Sequence, residues 1–194
     1  MAPVPPHNAP DVIPRQGSPP PAFLDAIIDA LLPLPDDVFE ADPYHDIYTV
    51  LAPVLGPWTS LLHRKAVMCE ALRCIAAFES GWDWNCAADT TAGQETPEET
   101  ETGAFQFSAN SMNLGPGLRQ FIIEKLGSDH PAIFIPAMKQ HHALACEYAA
   151  RLLRFSTRWD GPVNRGWVSA AVSRDAVNEF QTFLASAGDP QITV

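Results

Sequence analysis

The chain has 194 residues, 46% of them hydrophobic and 18% charged, with a formal net charge of −11. Such figures describe one globular domain with enough length for a substantial core. The acidic balance speaks against nucleic acid, whose binders need basic surface to displace counterions, and against anionic membrane surfaces. It leaves a neutral or glycan substrate, or a basic protein partner. No apolar run approaches the ~18–20 residues of a bilayer-spanning helix, so no membrane insertion is expected. No basic segment followed by an apolar one marks a secretory signal, so the expectation is a chain made in the cytoplasm.

Residues 1–21 hold 8 of the 19 prolines and no periodic apolar pattern. Proline fixes φ and removes a donor, so this stretch reads as a disordered leader or linker, with the folded domain over 22–194. Phe23, Ile27 and Leu31 then fall at helical spacing over 22–35, and 42–55 reads as a short helix or turn. The clearest helix is predicted over 60–80, with Met68, Ala71, Leu72 and Ile75 on one stripe. A polar loop rich in Thr and Glu follows between Gly81 and Gly103, long for a connection. The segment 103–112, GAFQFSANSM, alternates like a strand. Helices are predicted at about 116–126, 133–155 and 173–187, the last capped by Ser173. No strand–helix–strand alternation appears, so the expected class is mainly α with a small β or irregular element.

One ionisable group interrupts this pattern. Glu79 lies seven residues after Leu72 and four after Ile75, which puts it on the apolar stripe and points it toward the core or a cleft beside it. Desolvation raises a carboxyl pKa, and a proton held near neutral pH is what a general acid needs. The plainer alternative is a glutamate at a frayed helix end, turned to water. Trp82 and Trp84 follow, and flat aromatic rings suit the apolar faces of sugars as well as they suit a core. The loop supplies further acids, Asp89, Glu95, Glu98, Glu99 and Glu101, and glycosidases commonly use a second carboxylate. Glu101 stands out because it leads directly into the ordered-looking TGAFQFS.

The pairing of FESGWDWN (78–85) with ETGAFQFSANSM (101–112) resembles the lysozyme-like superfamily, which includes lytic transglycosylases and goose-type lysozymes. In that family a helix ends at a catalytic Glu, usually followed by Ser, and a Gly-x-x-Gln segment lines the cleft after a variable loop. Here those features fall on Glu79, Ser80 and Gly103 to Gln106. The resemblance implies a lysozyme-like α domain that cleaves the β-1,4 bond between N-acetylmuramic acid and N-acetylglucosamine in peptidoglycan, without a cofactor. Glu79 would be the acid, and Ser80, Trp84, Gln106 and Ser108 the substrate-binding candidates. In the goose-type pattern an Asp stands where this chain has Ser108, so the second acid is not carried over. Glu101 is chosen for it, with Asp89 the runner-up. The wider run also resembles wall hydrolases of phages and secretion effectors, which implies delivery to the periplasm or cell wall and, for an effector, a basic immunity protein on the cleft. A chitinase or chitosanase, or an inactive glycan-binding module, are the alternative readings.

Other constellations are weaker. His141 and His142 are adjacent, about 100° apart on a helix, and cannot chelate one ion with Glu147 as an HExxH pair does, so no metal is expected. Cys69, Cys74, Cys86 and Cys146 lack CxxC spacing and read as free buried thiols rather than disulfides. Cys86, in the loop, is the one plausible nucleophile. RWDGPVNRG (158–166) is either a cleft-edge turn carrying Trp159 and Asn164 or a plain connector.

Overall fold

The computed structural model describes residues 17–40, 46–87, 96–157 and 161–187. The leader expected over 1–21 therefore lies outside the described residues up to position 16, as do Asp89, Glu95 and Trp159. The described chain is mainly helical: α1 (Pro21–Leu31), α2 (Ile47–Leu55), α3 (Leu61–Ser80), α4 (Leu118–Leu126), α5 (Pro131–Gln140), α6 (His142–Phe155), α7 (Trp167–Ala171) and α8 (Arg174–Ala187), with 3-10 turns at Asp36–Phe39 and Ala109–Asn113. No helix among the described residues is long and apolar enough to cross a membrane.

Local chemistry sets the helix starts. Asp46 accepts the Thr49 N–H at 2.6 Å, Ser60 accepts that of His63 at 3.0 Å, and Ser173 accepts those of Asp175 and Ala176 at 3.2 and 3.4 Å. Each satisfies an amide that the first turn leaves without a partner. The cap expected at Ser173 is borne out.

α3 is the central element. It packs against α1, α2, α6, α7 and α8, and every residue from Ala66 to Ala77 is buried. That corrects the amphipathic stripe: α3 is surrounded, so its apolar phase does not single out one face. The two charged residues inside this stretch, Glu70 and Arg73, are 0% and 1% exposed and answer each other. Arg73 Nε donates to Glu70 Oε2 at 2.7 Å and Nη2 to Oε1 at 2.8 Å, while Oε1 also accepts the Ser173 N–H at 2.8 Å. The start of α8 is thereby fastened to the middle of α3.

Two further expectations are corrected. The alternating segment 103–112 forms no strand. It carries a single antiparallel bridge, Thr102 to Phe107, and then the 3-10 turn. The reason is backbone reversal: Gly103 (φ 73°) and Gln106 (φ 48°) are both left-handed, so Thr102, Ala104, Phe105 and Phe107 are all buried instead of alternating. The helix expected over 133–155 breaks at His141 (φ −110°, ψ 77°), giving α5 and α6.

Candidate functional site

Glu79 occupies the last turn of α3, where complete burial gives way to the half-buried residues Phe78, Glu79 and Ser80. Gly81 stops the helix in the left-handed conformation (φ 63°, ψ 35°), which glycine adopts without the Cβ penalty. Its N–H donates to the Ala77 carbonyl, and the Trp82 N–H to that of Ala76, both at 3.1 Å. The Trp82 indole folds back to donate to the Arg73 carbonyl at 2.9 Å. Trp82 is thus core, 5% exposed.

Ser80 joins this helix end to the Gly103–Gln106 segment. Its hydroxyl lies 2.9 Å from the Ala104 carbonyl and 3.1 Å from that of Ala76, and it accepts the Asp83 N–H at 3.1 Å. In the partner segment the Gly103 N–H donates to the Cys86 carbonyl at 3.1 Å. A Cβ on Gly103 would stand 3.0 Å from the Met138 carbonyl, so both its backbone angle and the closeness of α5 require glycine. The half-buried Gln106 donates through Nε2 to the Gly103 carbonyl at 2.8 Å. Holding a non-glycine residue left-handed carries strain of about 1–3 kcal/mol.

Of the sequence-chosen residues, Glu79 and Ser80 thus stand on one side of this joint, and Gln106, with Glu101 at the start of its turn, on the other. Glu101 is half-buried and precedes the buried Thr102. Ser108 is half-buried, and its hydroxyl is held by Asn110 Oδ1 at 2.5 Å, which makes it part of the 3-10 turn's own bonding. Trp84 belongs to an aromatic cluster. It stacks on His142 at 4.1 Å with 10° between planes, meets Phe23 at 4.7 Å, and takes the Phe105 ring edge-on at 5.8 Å. Its stacking surface is already used by protein.

Among the described tryptophans, the open one lies elsewhere. Trp167 opens α7, is 45% exposed, and rests against Phe78 at 5.8 Å, next to Glu79. Sequence reasoning placed the cleft-edge turn at 158–166 and stopped one residue short of it. It also missed Glu70 and Arg73, although their i, i+3 spacing on a helix is a readable pairing signal.

Electrostatics identifies a shared neighbourhood rather than a nucleophile. Burial pushes the Cys86 thiol up; Asp83 adds to this, Lys139 opposes it, and Glu79 adds to it again. An activated cysteine needs the reverse shift. Burial likewise raises Cys69, Cys74 and Cys146; these three are buried free thiols, while Cys86, expected to be buried with them, is half-buried. The His142 imidazole is lowered by burial, against a hydrogen bond to the Lys139 backbone that raises it, with His141 lowering it further. Glu147 is engaged by Lys125 at 3.1 Å and Arg151 at 2.8 Å. Among the described residues no group of three or more His, Cys, Asp or Glu is arranged to hold a metal ion. Comparison with family models, curated proteins and solved structures returned no match to this chain.

Proposed function

We propose that the chain is a lysozyme-like glycan-cleaving enzyme acting on the β-1,4 bond between N-acetylmuramic acid and N-acetylglucosamine of peptidoglycan. The observation that carries the reading is the Ser80 joint. It fastens the helix turn bearing Glu79 to a turn 24 residues away, through the 2.9 Å contact with the Ala104 carbonyl. A half-buried carboxyl thus stands on fixed backbone beside a second fixed turn, as a positioned proton donor must.

In this mechanism the Glu79 carboxyl gives its proton to the glycosidic oxygen as the bond to the anomeric carbon breaks. The oxocarbenium-like sugar is then captured either by water or by the substrate's own 6-hydroxyl, whose proton returns to the Glu79 carboxylate. Gln106 and the backbone around it hold the N-acetyl groups, and Glu101 stabilises the cation or takes the proton from water. The protein would reach the periplasm or wall by a secretion or lysis route, and a basic inhibitor would complement its acidic surface.

Glu79→Gln keeps the side chain's shape and removes the titratable proton. Digestion of purified peptidoglycan is expected to fall about 10²–10⁴-fold, with the melting temperature unchanged. Digestion at the parent rate would end the proposal. Mass spectrometry of the parent's products separates the two captures, since 1,6-anhydro ends mark transglycosylation and reducing ends mark hydrolysis.

A further inference from the structure

We propose that Trp167 is a stacking platform for a sugar ring of the bound strand, and so a substrate-positioning residue. The inference rests on the reading of Glu79 as the glycan-cleaving acid and adds the surface on which the strand lies. Among the described tryptophans, Trp82 is buried, Trp84 is stacked on His142, and Trp58 is half-buried against Tyr48 and His63. Trp167 alone of these falls in the exposed class, leaving on the order of 100 Å² of its indole uncovered.

Folding does not account for that exposure. Val168, 0% exposed, is the residue that seats the five-residue α7 in the core. The indole is nevertheless held in place. Phe78 meets it at 5.8 Å, and the Arg165 guanidinium lies over the ring, 5.3 Å from its centroid, so a sugar would stack on the part of the indole these two leave exposed. The Trp167 and Val168 N–H groups both donate to the Pro162 carbonyl, at 2.9 and 3.2 Å. A ring fixed before binding loses little entropy when ligand covers it. Phe78 is the residue immediately before Glu79, so the platform on α7 rests against the α3 turn that carries the acid. Large, rigid, amphipathic rings of this kind suit the C–H faces of pyranose rings, with the indole N–H left at the polar edge.

The test uses a soluble tetrasaccharide of alternating N-acetylglucosamine and N-acetylmuramic acid. Its affinity is measured by calorimetry on the Glu79→Gln protein, where bound glycan persists. Adding Trp167→Ala is expected to weaken binding on the order of tenfold, while Trp167→Phe, which keeps a ring, stays within about threefold. In the Glu79-intact enzyme, Trp167→Ala is expected to raise KM with kcat nearly unchanged. A purely structural role would instead lower the melting temperature and leave KM alone. If Trp167→Ala binds as tightly as its parent while that parent binds and cleaves the glycan, the platform falls and the Glu79 reading stands. If Glu79→Gln digests peptidoglycan normally, the acid falls, and the KM of Trp167→Ala against its parent decides the platform. If the parent does not bind the tetrasaccharide, both fall.

Discussion

Replacing Arg73 by Met tests the buried pair at the centre of α3. The Glu70 carboxylate, 0% exposed, receives two hydrogen bonds from Arg73 and one from the Ser173 N–H. Removing the guanidinium leaves a buried charge with two neutral donors, the Ser173 amide and the Cys74 thiol at 3.6 Å, which costs about 3–5 kcal/mol. For a domain of this size each kcal/mol moves the midpoint by about 2–4 °C, so the melting temperature should fall by about 6–20 °C. Replacing Glu70 and Arg73 together by Met removes both charges and should recover most of that loss. What persists is about 1–3 kcal/mol for the Ser173 amide left without its acceptor. Urea unfolding followed by circular dichroism gives all three free energies and the coupling between the two sites. A single Arg73→Met loss below about 1 kcal/mol, or a double variant no better than the single, would refute the assignment of α8's anchorage to this pair.

Gly103→Ala should destabilise by about 1–3 kcal/mol, because its φ of 73° is retained only under strain and the new Cβ meets the Met138 carbonyl at 3.0 Å. Peptidoglycan digestion should fall with it, about tenfold to a hundredfold, as the Ala104 carbonyl leaves Ser80; a parent-like variant in urea would contradict the close approach. His142 should titrate below its ordinary 6.5, followed through the fluorescence of the Trp84 stacked on it. Because its folded pKa is depressed, the unfolded chain binds the proton more readily. Its contribution to stability is therefore present above pH 6.5 and is lost as pH falls from there through the folded value; a midpoint at 6.5 would abolish the effect and one above it would reverse the sign. Glu101→Gln should lower turnover about 10²-fold if water is the acceptor. Parent-like turnover would remove Glu101 and, with Glu79 essential, leave transglycosylation.

The helices were legible where a local signal existed. Ser60 and Ser173 announce their caps, the prolines after Leu31 stop α1, and α3 was found to within a residue at its start and at its end. The turn at 102–107 was misread because alternation was scored without backbone angles: a glycine at 103 allows a left-handed residue, but nothing local announces one at Gln106. The break at His141 has no proline or glycine to mark it. Within the site, Glu79, Ser80 and Gln106 carried a readable pattern. The partners of Trp84 come from distant elements, Phe23 in α1 and His142 in α6, which no local pattern announces.

The position of Glu79 follows from how α3 ends rather than from its helical phase. Burial is complete from Ala66 to Ala77 whichever way a side chain points, so a carboxylate placed there is consumed by an internal partner, as Glu70 is by Arg73. Beyond Gly81 the backbone has left the helix. The turn between is half-buried, and its three residues divide the work. Phe78 takes the contact with Trp167, Ser80 takes the carbonyl of Ala104, and Glu79 stands between two neighbours that are each held from outside the helix. The backbone there keeps its geometry because the residues before and after Glu79 are fixed, which is what the proposed proton donor requires.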